Sequence, residues 1–160
     1  MTDMDAERET EEVQIVGFRV GPQEFALEIL QVARILRYEP PARLPDAPAF
    51  LEGVVPFEGG VVPVVDLRKR LQVPAGLGEE TRLVIVGLEA QFVAIVVDAV
   101  TEVLRLPATA IAAPPPMVRG LAAAYIAGIV ARPGRTIVVL NAPRILNSDE
   151  RLALAALDAA

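Results

Sequence analysis

The apolar positions of this chain fall into short runs separated by glycine-rich or proline-rich punctuation. Residues 13–20 alternate loosely around Ile15, Val16, Phe18 and Val20 and predict a first strand. Gly21-Pro22 is a turn, and residues 23–27 are a second strand. Residues 28–32 carry Leu27 and Leu30 at helical spacing and predict a helical turn, with residues 34–38 the next strand. Residues 39–49 hold Pro40, Pro41, Pro45 and Pro48, a density that neither a helix nor a central strand tolerates, so they read as an ordered, extended loop.

The chain is organised around residues 50–71. There a Gly-Val-Val run meets a turn at Phe57-Glu58-Gly59-Gly60, and a second valine run ends in Asp66 and a basic stretch. Glycines between two β-branched runs signal a hairpin, because Gly accepts the positive φ of a tight turn. Pro56 and Pro63 cannot donate to a ladder and belong at strand starts, edges or bulges. Residues 73–80 are loop, and residues 82–88 and 92–97 form another hairpin around Glu89-Ala90-Gln91. Residues 107–117 are loop again, and residues 125–131 and 136–140 form the last hairpin, turned at Arg132-Pro133-Gly134-Arg135. Asn147 or Ser148 then caps a C-terminal helix running through Leu157, with Asp149 and Glu150 favourably placed in its first turn.

One device repeats. Val64-Val65-Asp66, Val96-Val97-Asp98 and Val139-Leu140-Asn141 each end an apolar strand in Asp or Asn, and Leu71, Leu104 or Leu146 follows five or six residues later. Asp and Asn can cap a helical turn, which the Leu then anchors. Three copies of this strand, cap and turn predict two similar small barrels in an all-β protein.

Composition narrows the function. The chain has 160 residues, 53% of them hydrophobic and 4% aromatic, so one domain or two subdomains would be packed from Val, Ile, Leu and Ala. Residues 1–12 hold six carboxylates against Arg8, a net of −5 that leaves −1 for the rest of the −6 chain, and predict a disordered acidic tail. A near-neutral body argues against nucleic-acid binding, which needs a basic surface. Arg68-Lys69-Arg70 is the one dense basic run. No apolar run reaches the roughly 18 residues of a membrane span, so no insertion is expected. The absence of Cys fits a cytosolic protein without disulfides or thiolate metal sites.

The inventory disfavours catalysis. There is no His, and the single Ser is Ser148, beside a helix cap. A carboxylate pair from Asp66 and Asp98 could in principle serve a small hydrolase. Their matching placement after valine runs favours capping instead. No Ca²⁺ loop or phosphate-binding Gly-Lys sequence occurs, and no cofactor or metal is expected.

The central hairpin resembles that of the CheW family, whose pattern is roughly G-V-x-N-x-R-G-x-x-x-P-V-x-D-L-R. Gly53, Val54, Gly59, Pro63, Val64, Asp66, Leu67 and Arg68 match it. Pro56 replaces the usual Asn, and Glu58 replaces the usual Arg. Tyr38, Arg43, Leu44, Pro45, Pro48 and Phe50 match the preceding proline segment, and Ile95 to Asp98 with Val100 and Val103, then Ile145 to Glu150, match later ones.

The resemblance implies two SH3-like five-stranded β-barrels with short helical turns and a C-terminal helix, spanning residues 13–160 as one domain. It implies a non-catalytic cytoplasmic adaptor that couples the tips of methyl-accepting chemoreceptors to the histidine kinase CheA. By the same resemblance Val32, Arg34, Ile35, Gly53, Glu58, Val100 and Val103 would line the receptor groove. Pro41, Arg43, Leu44, Pro45 and Val61 would meet the kinase, with Met117 standing where many relatives place Phe for a second kinase contact. Arg34 and Glu58 occupy positions where relatives usually carry Glu and Arg, which implies an ion pair with its signs exchanged and a divergent receptor. The alternative within the family is an accessory adaptor that has lost one partner.

Overall fold

The computed structural model describes residues 11–74, 76–88, 91–113, 125–147, 149, 150 and 153. Ten strands run through them: β1 (Glu12–Val20), β2 (Gln23–Glu28), β3 (Val32–Arg37), β4 (Leu51–Phe57), β5 (Gly60–Asp66), β6 (Arg82–Leu88), β7 (Gln91–Val97), β8 (Ala99–Pro107), β9 (Ile126–Arg132) and β10 (Arg135–Leu140). One short helix, α1 (Leu67–Arg70), follows β5, and 3-10 turns occupy Ile29–Gln31, Ala108–Ala110 and Ala142–Arg144.

The strands form two five-stranded sheets, ordered β8-β1-β2-β10-β9 and β3-β6-β7-β5-β4. Each has an edge strand, then an antiparallel hairpin, then a parallel step (β2 with β10, β5 with β7), then a second hairpin. The two SH3-like barrels are therefore one plan used twice. Barrel 2 takes β3 to β7 in order. Barrel 1 takes β8, β9 and β10 and completes itself with β1 and β2.

The equivalence reaches single residues. Gly53 pairs with Val64 beside a register shift, and Gly128 pairs with Val139 beside another. Val54 bridges to Ala42 of the proline loop, and Ile129 bridges to Ala112. Each bridge brings a loop over a glycine that has no room for a side chain. A Cβ on Gly53 would lie 2.4 Å from the Ala42 carbonyl oxygen, and one on Gly128 would lie 3.0 Å from that of Ala112.

Packing explains why some runs are apolar throughout. Leu83 and Ile85 of β6 point into the core of barrel 2 with Val55, Val62, Val64, Ala94 and Val96. Their neighbours Val84 and Val86 face the other way, into a core shared by both barrels that contains Phe18, Val20 and Leu27 from barrel 1. A strand buried on both faces loses the usual alternation. Barrel 1 keeps its own core of Ile15, Ala26, Leu106, Val130, Ile137 and Val139.

Most expected elements form, with three differences. β8 was not anticipated as a strand. Of the three repeated caps, Asp66 behaves as expected, accepting the Arg68 N–H at 3.0 Å. Asn141 precedes a 3-10 turn without a side-chain cap bond. Asp98 starts no helical turn; it leads directly into β8, where Leu104 packs against the barrel 1 core. At the C-terminus Asn147 Oδ1 accepts the Glu150 N–H at 2.8 Å and Glu150 returns the bond to the Asn147 N–H at 3.0 Å, a reciprocal cap. Residues 1–10, the turn residues Glu89 and Ala90, Pro114 to Met117, Ser148 and most of the expected C-terminal helix lie outside the described residues.

Candidate interaction site

Two edge strands carry most of the expected groove residues. β3 pairs only with β6, and β8 only with β1. In β3 the register skips a residue between Val32 and Arg34, and in β8 it skips Thr101 opposite Gly17/Phe18. Val32 therefore corresponds to Val100, Ile35 to Val103 and Arg34 to Glu102. Val32 and Val100 are half-buried against the shared core, whereas Ile35 and Val103 are 39% and 53% exposed. The crossover turn before β3 adds Leu30, 94% exposed, which sequence pattern treated only as a helical-turn residue.

The expected Arg34–Glu58 ion pair is not formed. The Arg34 guanidinium carbon lies 5.7 Å from the centroid of the Phe57 ring, and Phe57 meets Phe92 edge-on at 5.7 Å. Glu58 is exposed in the β4–β5 turn at φ 46, followed by Gly59 at φ 79. The ring takes the place the carboxylate was expected to fill.

Gly53 also moves. It is buried under the loop that contains Pro41 and Ala42, and its missing side chain seats that loop. The loop itself is exposed: Arg43, Leu44 and Pro45 face solvent, with Pro41 half-buried at the seat. Val61 is 61% exposed on the adjacent hairpin. Clefts flank the loop, one lined by Arg43, Leu44, Pro48 and Lys69, another by Tyr38, Pro41, Arg43 and Asp66.

Between the barrels lies a buried ion hub. Arg68, 4% exposed in its side chain, donates from Nε and Nη2 to the two oxygens of Asp66 at 3.0 Å each, and from Nη1 to Asp98 Oδ1 at 3.1 Å. Nη1 also donates to the Gly76 carbonyl oxygen. Asp98 Oδ2 accepts the Gly21 N–H of the β1–β2 turn at 2.6 Å. The Asp66 hydrogen bond, opposed by burial and aided by Asp98, raises the Arg68 pKa above its ordinary value. Both carboxylates that a hydrolase would need are thus committed to one guanidinium. Among the described residues no cluster of three or more His, Cys, Asp or Glu could hold a metal ion. No described helix is long and apolar enough to cross a membrane.

A second ion cluster braces the β8 edge. Arg135 holds both oxygens of Glu24, at 2.9 and 2.6 Å, and Glu102 at 2.6 Å. The Arg135 hydrogen bond keeps the Glu24 carboxyl below its ordinary pKa, and the same bond, with that to Glu102, raises Arg135. A depressed carboxyl stabilises the fold above the unfolded pKa, about 4.3, and loses that contribution as pH falls through the folded value. Glu24→Gln is therefore expected to be less stable than the parent at pH 7, with the difference closing in acid; a deficit that persists unchanged to pH 3 in urea titrations would contradict this.

A two-barrel module with exposed apolar edges, an exposed proline-rich loop, and Asp66 and Asp98 tied to Arg68 is an interaction scaffold. The CheW-like domain family matches residues 14–150, so the chain belongs to the CheW family. It is 32% identical to the chemotaxis protein CheW of Klebsiella aerogenes over 143 residues, 89% of this chain and 86% of that one. It is 32% identical to the Bacillus subtilis CheW over 147 residues, 91% and 94% of the two chains. Protein FrzA of Myxococcus xanthus is 34% identical over 148 residues, 90% and 91% of the two. The crystal structure of the scaffolding protein TtCheW from Thermoanaerobacter tengcongensis superposes with a TM-score of 0.78 at 27% identity, covering 89% of this chain and 94% of that one. The chain is a non-catalytic chemotaxis adaptor.

Proposed function

We propose that this adaptor joins the cytoplasmic tip of a chemoreceptor to the CheW-like regulatory domain of a CheA-type kinase, in the cytoplasm and at chemoreceptor arrays. The observation that carries the reading is the matched pair of edges: Ile35 and Val103 stand exposed at equivalent positions of two barrels whose half-buried neighbours, Val32 and Val100, reach the shared core. Leu30 extends that apolar surface. The kinase contact is assigned to Pro41, Arg43, Leu44 and Pro45, a loop stiffened by proline and seated on Gly53, with Val61 beside it. Rigid loops lose little entropy on docking.

Val103→Asp and Ile35→Asp each place a charge in an apolar contact and are expected to weaken binding of a receptor signalling fragment about tenfold or more. Kinase regulatory-domain affinity should stay within about twofold, because no assigned loop residue is touched. Titration calorimetry against each partner checks both. Binding of the kinase domain alone, with no receptor fragment retained, would favour the accessory adaptor that has lost one partner.

A further inference from the structure

The two edges match in apolar residues and differ in charge. Val32, Ile35 and Leu36 of β3 correspond in register to Val100, Val103 and Leu104 of β8, yet Arg34 corresponds to Glu102. Glu102 is already answered, at 2.6 Å, by Arg135, which Glu24 also holds. Arg34 is exposed and has no carboxylate partner among the described residues. It is instead held over a ring, and that ring is braced by another: Arg34 on Phe57, Phe57 on Phe92. Phe92 itself is 44% exposed. Barrel 1 fills the corresponding places with ions, Arg132 for Phe57 and Glu24 for Phe92.

A guanidinium held over an aromatic face by a cation–π contact keeps its N–H fork unspent while giving up part of its rotamer freedom in advance. Such a fork, flanked by the exposed apolar Ile35 and Phe92, suits one chemistry: a carboxylate carried on an otherwise apolar segment, met through two parallel charge-assisted hydrogen bonds. Resting on the assignment of these edges to the receptor, we propose that Arg34 is a specificity-determining residue that reads an Asp or Glu side chain of the docked receptor segment. The Phe57 and Phe92 rings preorganise it. A partner with a basic residue at that position meets an unpaired like charge and is rejected.

The test uses the full chain and the cytoplasmic signalling fragment of a chemoreceptor from the same cell. Arg34→Gln is expected to lower affinity about tenfold and to flatten the salt dependence of binding. Arg34→Lys should recover only part of the loss, since the charge returns without the fork. Phe57→Leu should fall between parent and Arg34→Gln. In the reverse experiment, a fragment with the contacted acid changed to Lys should prefer Arg34→Glu over the parent. All are exposed or half-exposed positions, and unchanged melting curves confirm the fold. Val103→Asp supplies the control. Loss of binding in Val103→Asp with parental affinity and salt dependence in Arg34→Gln overturns the carboxylate assignment alone. Parental binding in both variants overturns the receptor assignment of the edges and this inference with it.

Discussion

Arg68→Met is expected to cost about 3–5 kcal/mol of unfolding free energy, the range for removing one partner from a buried ion network. Methionine keeps the bulk but leaves Asp66, 7% exposed, answered only by the backbone N–H of residue 68, and Asp98 answered only by the Gly21 N–H. The Gly76 carbonyl loses its donor as well. For a chain of this size the loss corresponds to a fall in melting temperature of about 6–20 °C. Asp66→Asn and Asp98→Asn added to Arg68→Met should recover part of the stability, since the buried charges then leave together. Urea unfolding at pH 7 measures both effects. A loss under about 1 kcal/mol for Arg68→Met would mean that water answers the two carboxylates and that the hub is not dry.

Gly53→Ala is expected to abolish measurable kinase binding while leaving receptor-fragment binding near parental. The added Cβ would stand 2.4 Å from the Ala42 carbonyl oxygen, 2.8 Å from its carbon and 3.0 Å from Pro41 Cβ, and the residue has φ 145. Backbone atoms cannot rotate out of the way, so the loop must lift from β4 and give up the Ala42–Val54 bridge, whose two hydrogen bonds are 2.9 Å each. Proline-stiffened as it is, the loop moves as a block, carrying Arg43 to Pro45 with it. Gly128→Ala is the internal comparison: its Cβ meets the Ile111 side chain at 2.4 Å, which can rotate, and the Ala112 carbonyl only at 3.0 Å. That variant should be milder in stability and neutral towards the loop at 41–45. Surface plasmon resonance against the kinase regulatory domain decides the matter; equal affinities for Gly53→Ala and the parent would detach the loop from kinase recognition.

The hairpins were legible because their turns are chemically marked. Glu58-Gly59 and Pro133-Gly134 lie between β-branched runs, and in both turns the glycine takes positive φ. β8 was hidden for a local reason. Its sequence, AVTEVLRLP, breaks period-two alternation at the bulge around Thr101, and its burial pattern follows the bulge rather than a regular strand. Sheet membership was hidden for a global one: nothing in residues 23–28 announces a parallel partner more than a hundred residues away at 137–139. The sequence singles out Val32, Ile35, Val100 and Val103 but not that they sit at equivalent register positions of two edge strands. A pattern places Arg34 and Glu58 near each other; only the fold shows that Phe57 intercepts the guanidinium. Glu102, Glu24 and Arg135 carry no motif at all and come together solely through strand order.

The borrowing of β1 and β2 by the barrel of β8 to β10 sets a timetable on the ribosome. The contiguous barrel, β3 to β7, has all its strands as soon as Val97 has emerged, and can close then. The first hairpin to be made gains β8 only once Pro107 has emerged and its parallel partner β10 only at Leu140, so Phe18, Phe25 and Leu27 wait for a complete sheet of their own. Late closure of a long loop is slow and exposes strand edges meanwhile. The finished β3–β7 barrel, offering Val84, Val86 and Ile95 on its outer side, is the surface on which that waiting hairpin can shelter. A hairpin made first is thus completed by strands made last, with the shared core spanning both events.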